Sequence, residues 1–166
     1  MKSDVTATSC DIVAMDAGLT PEDLSALHST ALQAAQKGAD ILMAHYGRLS
    51  NVRSKGRQGD LVTEADEAAE AAVVHLLKQA TPQVGILAEE SGRSGADTGL
   101  QWMVDPLDGT TNFAHGYPFF ATSVGLCWNA RPLLGAIAVP YLNQVFHSCP
   151  GVGAFCNDDP IRVSSC

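Results

Sequence analysis

The sequence predicts an α+β fold, with two N-terminal helices packed on a mainly antiparallel sheet. Two stretches with apolar residues at helical spacing come first, over 21–46 and 63–80. From Phe119 onward the pattern changes to short apolar runs separated by Asn, Gly and Pro turns, which read as consecutive strands of a meander. With 166 residues, 46% of them hydrophobic and 17% charged, the chain can bury a real core as a single globular unit.

Residues 1–20 are small and polar with weak periodicity, and are expected to form a flexible extension ahead of a unit spanning 21–166. Thr20-Pro21-Glu22-Asp23 reads as a helix start: Thr20 can cap, Pro21 suits the first helical position, and Asp23 completes a capping box. Leu24, Leu27, Ala31, Ala34, Ala35, Ile41 and Leu42 carry the stripe to about Tyr46, where Gly47 stops it. His28 and His45 have no metal-spaced partner on this helix and read as partly exposed helix residues. Val52 to Gly59 is a basic loop or short hairpin bearing Arg53, Lys55 and Arg57; approach to an anionic substrate and plain solvation explain it equally well.

Thr63-Glu64-Ala65-Asp66 opens the second helix with another capping-box pattern, and Thr81-Pro82 ends it. Asp66 thus has a structural explanation, which is compatible with a site because helix N-termini often border anions. Val84–Ala88 is a short strand that delivers Glu89-Glu90-Ser91 into a loop, and Arg93–Gly99 reads as surface loop. The remaining expected strands are Phe119–Trp128, Leu133–Tyr141, Val145–Cys149 and Ala154–Asn157, with a further strand beginning at Ile161.

A net charge of −8 argues against a nucleic-acid partner, which favours a basic surface. The acidity suits carboxylates gathered around cations and suits surface solvation equally. The five cysteines form no CxxC pair, and their odd number and scatter favour free thiols in a reducing compartment. The longest apolar run, Pro132 to Pro140, is too short to span a bilayer, and no signal-peptide pattern opens the chain. A cytoplasmic location without membrane attachment is therefore expected.

The stretch richest in chemistry is Trp102 to Phe113, where an apolar strand runs into Asp105-Pro106-Leu107-Asp108-Gly109-Thr110-Thr111-Asn112. Asp105, Asp108 and the Leu107 carbonyl offer hard oxygen donors on a turn stiffened by Pro106, and Glu89 and Glu90 could add more. Oxygen donors without His or Cys suit Mg²⁺ or Mn²⁺ better than zinc. If a helical turn starts at Gly109-Thr110-Thr111, its free N–H groups form an anion pocket beside the carboxylates. Together these features suggest phosphate-ester hydrolysis through two metals roughly 4 Å apart. The competing reading is an ordinary DxxDG turn; an EF-hand is excluded because the loop lacks its spaced acids and final glutamate.

The string Trp102-x-x-Asp105-Pro106-x-Asp108-Gly109-Thr110-Thr111-Asn112-Phe113, with Glu89-Glu90-Ser91 and Thr63-x-Ala65-Asp66 upstream, resembles the inositol monophosphatase family from about residue 22 to the end. The resemblance implies the N-terminal half of an αβαβα-layered sugar-phosphatase fold, Mg²⁺ as cofactor, a small phosphate ester as substrate, sensitivity to lithium and a homodimer when full length. It implies Glu89, Asp105, the Leu107 carbonyl and Asp108 as metal ligands, Asp105 being shared between the two ions. It implies that Glu89 and Thr110 orient the attacking water, that Asp66 supports Thr110, and that Gly109 and Thr110 contact phosphate through their N–H groups. Lys55, Glu90 and Thr111 are implied as supporting residues.

The match stops short in one respect. The family carries a WDxAAG-type motif in its second half, whose aspartate completes the second metal site. No Trp-Asp dipeptide exists here, since Trp102 precedes Met103 and Trp128 precedes Asn129. The expected activity is hydrolysis of inositol monophosphate. The alternatives are a non-catalytic half-domain, or a relative acting on histidinol phosphate, fructose 1,6-bisphosphate or another small phosphate ester. A sheet ending at Cys166 is also expected to expose apolar surface and to promote self-association.

Overall fold

The computed structural model describes residues 9–48, 52–54, 61–96 and 99–164. Its helices are α1 (Ser9–Asp16), α2 (Pro21–His45), α3 (Glu64–Ala80) and the short α4 (Thr110–Ala114). Its strands are β1 (Val52–Ser54), β2 (Leu61–Thr63), β3 (Gly85–Ala88), β4 (Gly92–Ser94), β5 (Leu100–Asp108), β6 (Ala121–Trp128), β7 (Arg131–Val139), β8 (Gln144–Cys149), β9 (Gly153–Cys156) and β10 (Asp159–Pro160). β1 and β2 pair as a separate antiparallel ribbon. The other eight form one sheet in the order β10-β9-β8-β7-β6-β5-β3-β4, in which only β3 and β5 run parallel.

α2 and α3 pack against each other and against β5, β6 and β7, giving the expected helices-on-sheet arrangement. Both helices start with complete capping boxes. Thr20 and Asp23 exchange side-chain and backbone bonds at α2, and Thr63 and Asp66 do so at α3. The main core gathers Ala31, Ala35, Val73, Leu77, Trp102, Val124 and Leu126 between helices and sheet. Trp102 is fully buried, and its indole N–H donates to Thr81 Oγ1 at 2.9 Å, so the end of α3 is tied to the middle of β5. A second cluster, Leu42, Ala65, Ala69, Leu107, Phe113 and Phe120, lies under the Asp108–Gly109 turn.

Three local expectations are corrected. Residues 9–16 form α1 where a loose extension was expected. Val13 and Ala14 are buried there, Asp11 accepts the Gly151 N–H at 2.8 Å, and Asp16 meets Arg131 at 3.0 Å. Those contacts come from β7 and the β8–β9 turn, so local periodicity gives no sign of them. Gly92–Ser94 is strand β4 and not surface loop, because pairing with β3 overrides its weak strand propensity. Ile161–Val163 forms no strand; only the Ile161 N–H continues the ladder, to the Ala154 carbonyl.

His28 reads as a lone helical histidine in the sequence, yet it meets His147 of β8 ring to ring at 3.0 Å. Among the described residues no helix is long and apolar enough to cross a membrane. The four described cysteines are free thiols.

Candidate functional site

The site forms where β5 leaves the sheet. Its first determinant is a bulge. Asp105 pairs with Ser123 and Asp108 with Ala121, so three steps along β5 face two along β6. In a regular strand, residues three apart point to opposite faces; the extra residue re-aims the turn, and Asp105 and Asp108 come close enough to repel each other. Pro106 cannot donate to the ladder. Its carbonyl instead accepts the buried Thr122 hydroxyl at 2.9 Å, which pins the bulge to β6.

The second determinant is the parallel pairing of β3 with β5, which carries Glu89 to the side of Asp105. The Glu89 N–H donates to the Val104 carbonyl at 3.1 Å. Glu89, Asp105, Met103, Ser123 and Gly125 line a surface pocket of about 420 Å³. Larger cavities of about 550 and 670 Å³ lie against α2 and β8, away from this carboxylate group.

The third determinant is the α3 N-terminus. Asp66 is fully buried, and its Oδ2 accepts the Thr63 N–H and hydroxyl at 2.8 and 2.6 Å. Oδ1 accepts the Thr110 hydroxyl at 3.2 Å, while the same hydroxyl lies 3.0 Å from the Leu107 carbonyl. Burial raises the Asp66 carboxyl above its ordinary value, and the bonds from Thr63 and Thr110 oppose that shift.

Gly109 adopts the left-handed conformation with φ of 89°, and a Cβ there would stand 3.1 Å from the Phe119 carbonyl. That turn starts α4, whose first N–H groups lack intrahelical acceptors. Asn112 is structural: its amide donates to the Phe119 carbonyl at 2.8 Å. Phe113 packs edge-on against Phe120 at 4.8 Å, and Tyr46 closes over both while its hydroxyl holds the Gly116 carbonyl at 2.6 Å.

The electrostatics centre on Asp105. Burial, the Glu89 charge, a hydrogen bond with Glu89 and the Asp108 charge together raise its carboxyl to about 7. Its Oδ1 is buried without a hydrogen-bond partner. An orphaned carboxylate oxygen beside two further carboxylates and the Leu107 carbonyl is a donor set suited to a hard divalent cation. Among the described residues, no group of three or more His, Cys, Asp and Glu side chains already has metal-holding geometry. The chemistry of the donors fits such an ion.

Of the sequence-predicted site residues, Glu89, Asp105, Leu107 and Asp108 gather at one end of β3 and β5, and Asp66, Gly109 and Thr110 gather beside them. Thr111 is exposed on α4, and its carbonyl takes the His115 N–H. Lys55 lies outside the described residues. Glu90 is half-buried, with its N–H donated to Glu70 Oε2 at 2.7 Å.

Glu70 and Thr122 escaped the sequence reading. Glu70 did leave a signal, as an acid inside the buried stripe of Ala65, Ala69 and Val73. Thr122 left none, because a threonine in a strand is ordinary.

The inositol monophosphatase family model matches residues 23–166. This chain belongs to the inositol monophosphatase family. It is 40% identical over 147 residues to an inositol-1-monophosphatase of Synechocystis, covering 88% of this chain and 51% of that protein. It is 33% identical over 144 residues to the fructose-1,6-bisphosphatase/inositol-1-monophosphatase of Aquifex aeolicus, covering 86% and 54%. Its fold superimposes on the crystal structure of the extragenic suppressor protein suhB from Bartonella henselae with a TM-score of 0.80 and 41% identity, covering 84% and 55%. The chain thus spans about half the length of these relatives.

Proposed function

We propose that this chain is the metal- and phosphate-binding half of a Mg²⁺-dependent phosphomonoesterase that hydrolyses inositol monophosphate. The observation that carries the reading is the crowding of Glu89 and Asp108 around an Asp105 whose buried Oδ1 lacks a partner. A desolvated carboxylate that two others repel is stabilised when a cation joins it. Family membership and the names of the Synechocystis and Aquifex relatives supply the substrate class.

In this reading Glu89, Asp105, Asp108 and the Leu107 carbonyl would hold Mg²⁺, which when bound neutralises phosphoryl oxygens and acidifies water. The Leu107 carbonyl has two lone pairs, so the Thr110 hydroxyl leaves one available. Thr110 directs its proton toward Asp66 and Leu107, which leaves its oxygen as an acceptor for a proton of the attacking water. Glu89 would take the water's other proton and aim it in line. The Gly109 and Thr110 N–H groups would hold a phosphate oxygen. Lithium inhibition and a homodimer belong to the same proposal.

Coverage of about half of each relative favours a second reading, in which the chain alone is non-catalytic and needs a complementary half. The Aquifex relative's name also admits fructose 1,6-bisphosphate as substrate. Phosphate release from inositol 1-phosphate with Mg²⁺ separates these readings. Little release is expected from the 166-residue chain, and appreciable release would sink the half-domain reading. In a version carrying the complementary half, Asp105→Asn and Glu89→Gln should each abolish Mg²⁺-dependent turnover; turnover surviving in either removes the assigned roles.

A further inference from the structure

We propose that Glu70 is a positioning residue that holds the Glu89 carboxylate in register with Asp105; this rests on the metal reading above. Glu70 sits on α3 four residues after Asp66, so both acids project from one face of the helix, one turn apart. It is only 5% exposed. Its two oxygens accept two successive backbone N–H groups, Oε2 from Glu90 at 2.7 Å and Oε1 from Ser91 at 2.8 Å. The preceding N–H, that of Glu89, is held by the Val104 carbonyl. Three consecutive amides of the β3–β4 turn are therefore fixed, one by β5 and two by α3.

The chemistry requires a carboxylate. Two parallel N–H donors need two acceptors on one planar group, which carboxylate supplies. A glutamine of the same shape would turn its own NH₂ toward one of them, leaving two donors face to face. The choice is costly for folding alone, because a buried acid loses its hydration and its two N–H bonds only offset that cost. A neutral turn closed by its own ladder would serve stability better. The arrangement makes sense if the aim of Glu89 matters, because one helix then grips both walls of the site. Asp66 takes Thr110 and Glu70 takes the Glu89–Ser91 turn.

The test compares wild type with Glu70→Gln, Glu70→Asp and the control Glu67→Gln, which removes a charge at an exposed position of the same helix. Amide hydrogen exchange at Glu90 and Ser91 reads the grip in metal-free chain, and Mn²⁺ titration followed by electron paramagnetic resonance reads the site. Glu70→Gln is expected to speed exchange at both amides and to weaken Mn²⁺ on the order of 10–100-fold. Glu70→Asp, which keeps the charge but shortens the reach, should weaken it too, and Glu67→Gln should not. Mn²⁺ affinity unchanged in both Glu70 variants, with or without faster exchange, would make Glu70 a purely structural cap and overturn the proposal. Equal weakening by Glu67→Gln would overturn it in favour of bulk charge. Wild-type chain that takes up no Mn²⁺ overturns the metal reading itself and this positioning role with it, while the amide data report whether the turn is gripped.

Discussion

The Thr110 hydroxyl lies 3.2 Å from Asp66 Oδ1, while the other oxygen of that carboxylate is occupied by both donors of Thr63. One buried acid thus closes the α3 cap and, together with the Leu107 carbonyl at 3.0 Å, draws the Thr110 proton. Asp66→Asn should separate the two duties. The amide oxygen can still accept from Thr63, so the fold should lose only about 0.5–2 kcal/mol, as for a weakened cap. Part of that loss is offset, because burial already disfavours the charged form of Asp66. The amide nitrogen, however, offers Thr110 a donor where it had an acceptor. Turnover in a catalytically complete version should fall roughly 100-fold or more, the size of a lost proton-transfer partner. A variant with wild-type turnover and an intact fold would show that Thr110 does not depend on Asp66.

Asp105 predicts how the metal-free chain responds to pH. Its carboxyl titrates near 7 when folded and near the ordinary 3.8 when unfolded. Between those values the folded chain keeps a proton that the unfolded chain has released, so stability declines as pH rises through that window. Melting in EDTA should show a higher midpoint at pH 5 than at pH 8, and Asp105→Asn should flatten the difference. Mg²⁺ bound at Asp105 as proposed would displace the proton, so adding it to unbuffered chain near pH 6 should release acid. A midpoint that rises from pH 5 to pH 8 in EDTA would contradict the crowded-carboxylate account.

Trp102 offers a prediction confined to the fold. It is fully buried, and its N–H reaches Thr81 Oγ1 where α3 ends. Trp102→Phe leaves a void and removes the indole donor from Thr81 Oγ1, whose hydroxyl still donates to the Leu77 carbonyl at 2.8 Å, and should cost about 2–4 kcal/mol by urea denaturation. Because the change lies deep in the layer between α3 and β5, metal affinity should move little at concentrations where the protein stays folded. A large loss of Mn²⁺ affinity in the folded variant would mean that the β5 backbone shifts with its core.

What the sequence made legible follows from how local each determinant is. Both capping boxes were readable because their partners are three residues apart, as at Thr63 and Asp66. The carboxylates on β5 were readable because Asp105 and Asp108 share one short stretch. α1 was not readable, because Val13 and Ala14 are buried by β7 and the β8–β9 turn, and only their assembly makes burial favourable. Glu70 was half-legible. An acid in an apolar stripe signals a buried partner, but its acceptors' donors lie 20 and 21 residues on. The bulge was hidden in the same way, since its anchor, Thr122, is 16 residues from Pro106.

Gly38 connects the fold to that bulge. It sits inside α2, where a Cβ would meet Thr122 Cγ2 at 2.6 Å, Thr122 Oγ1 at 2.8 Å and Val73 Cγ2 at 3.1 Å. Two effects oppose each other in Gly38→Ala. Alanine favours the helix by about 1 kcal/mol. Overpacking a close-packed contact costs about 1–3 kcal/mol. The second should win, because Thr122 is β-branched, fully buried and bonded to the Pro106 carbonyl, and so has little freedom to move aside. Gly38→Ala should therefore lower the urea midpoint. By displacing Thr122 it should also weaken Mn²⁺ binding at the bulge carrying Asp105 and Asp108, without touching either acid. Thr122→Ala removes the atoms that clash, so the double variant should be less destabilised than the two single losses added together. Simple additivity, or a Gly38→Ala variant more stable than wild type, would show that the helix and the bulge are not in contact through Thr122.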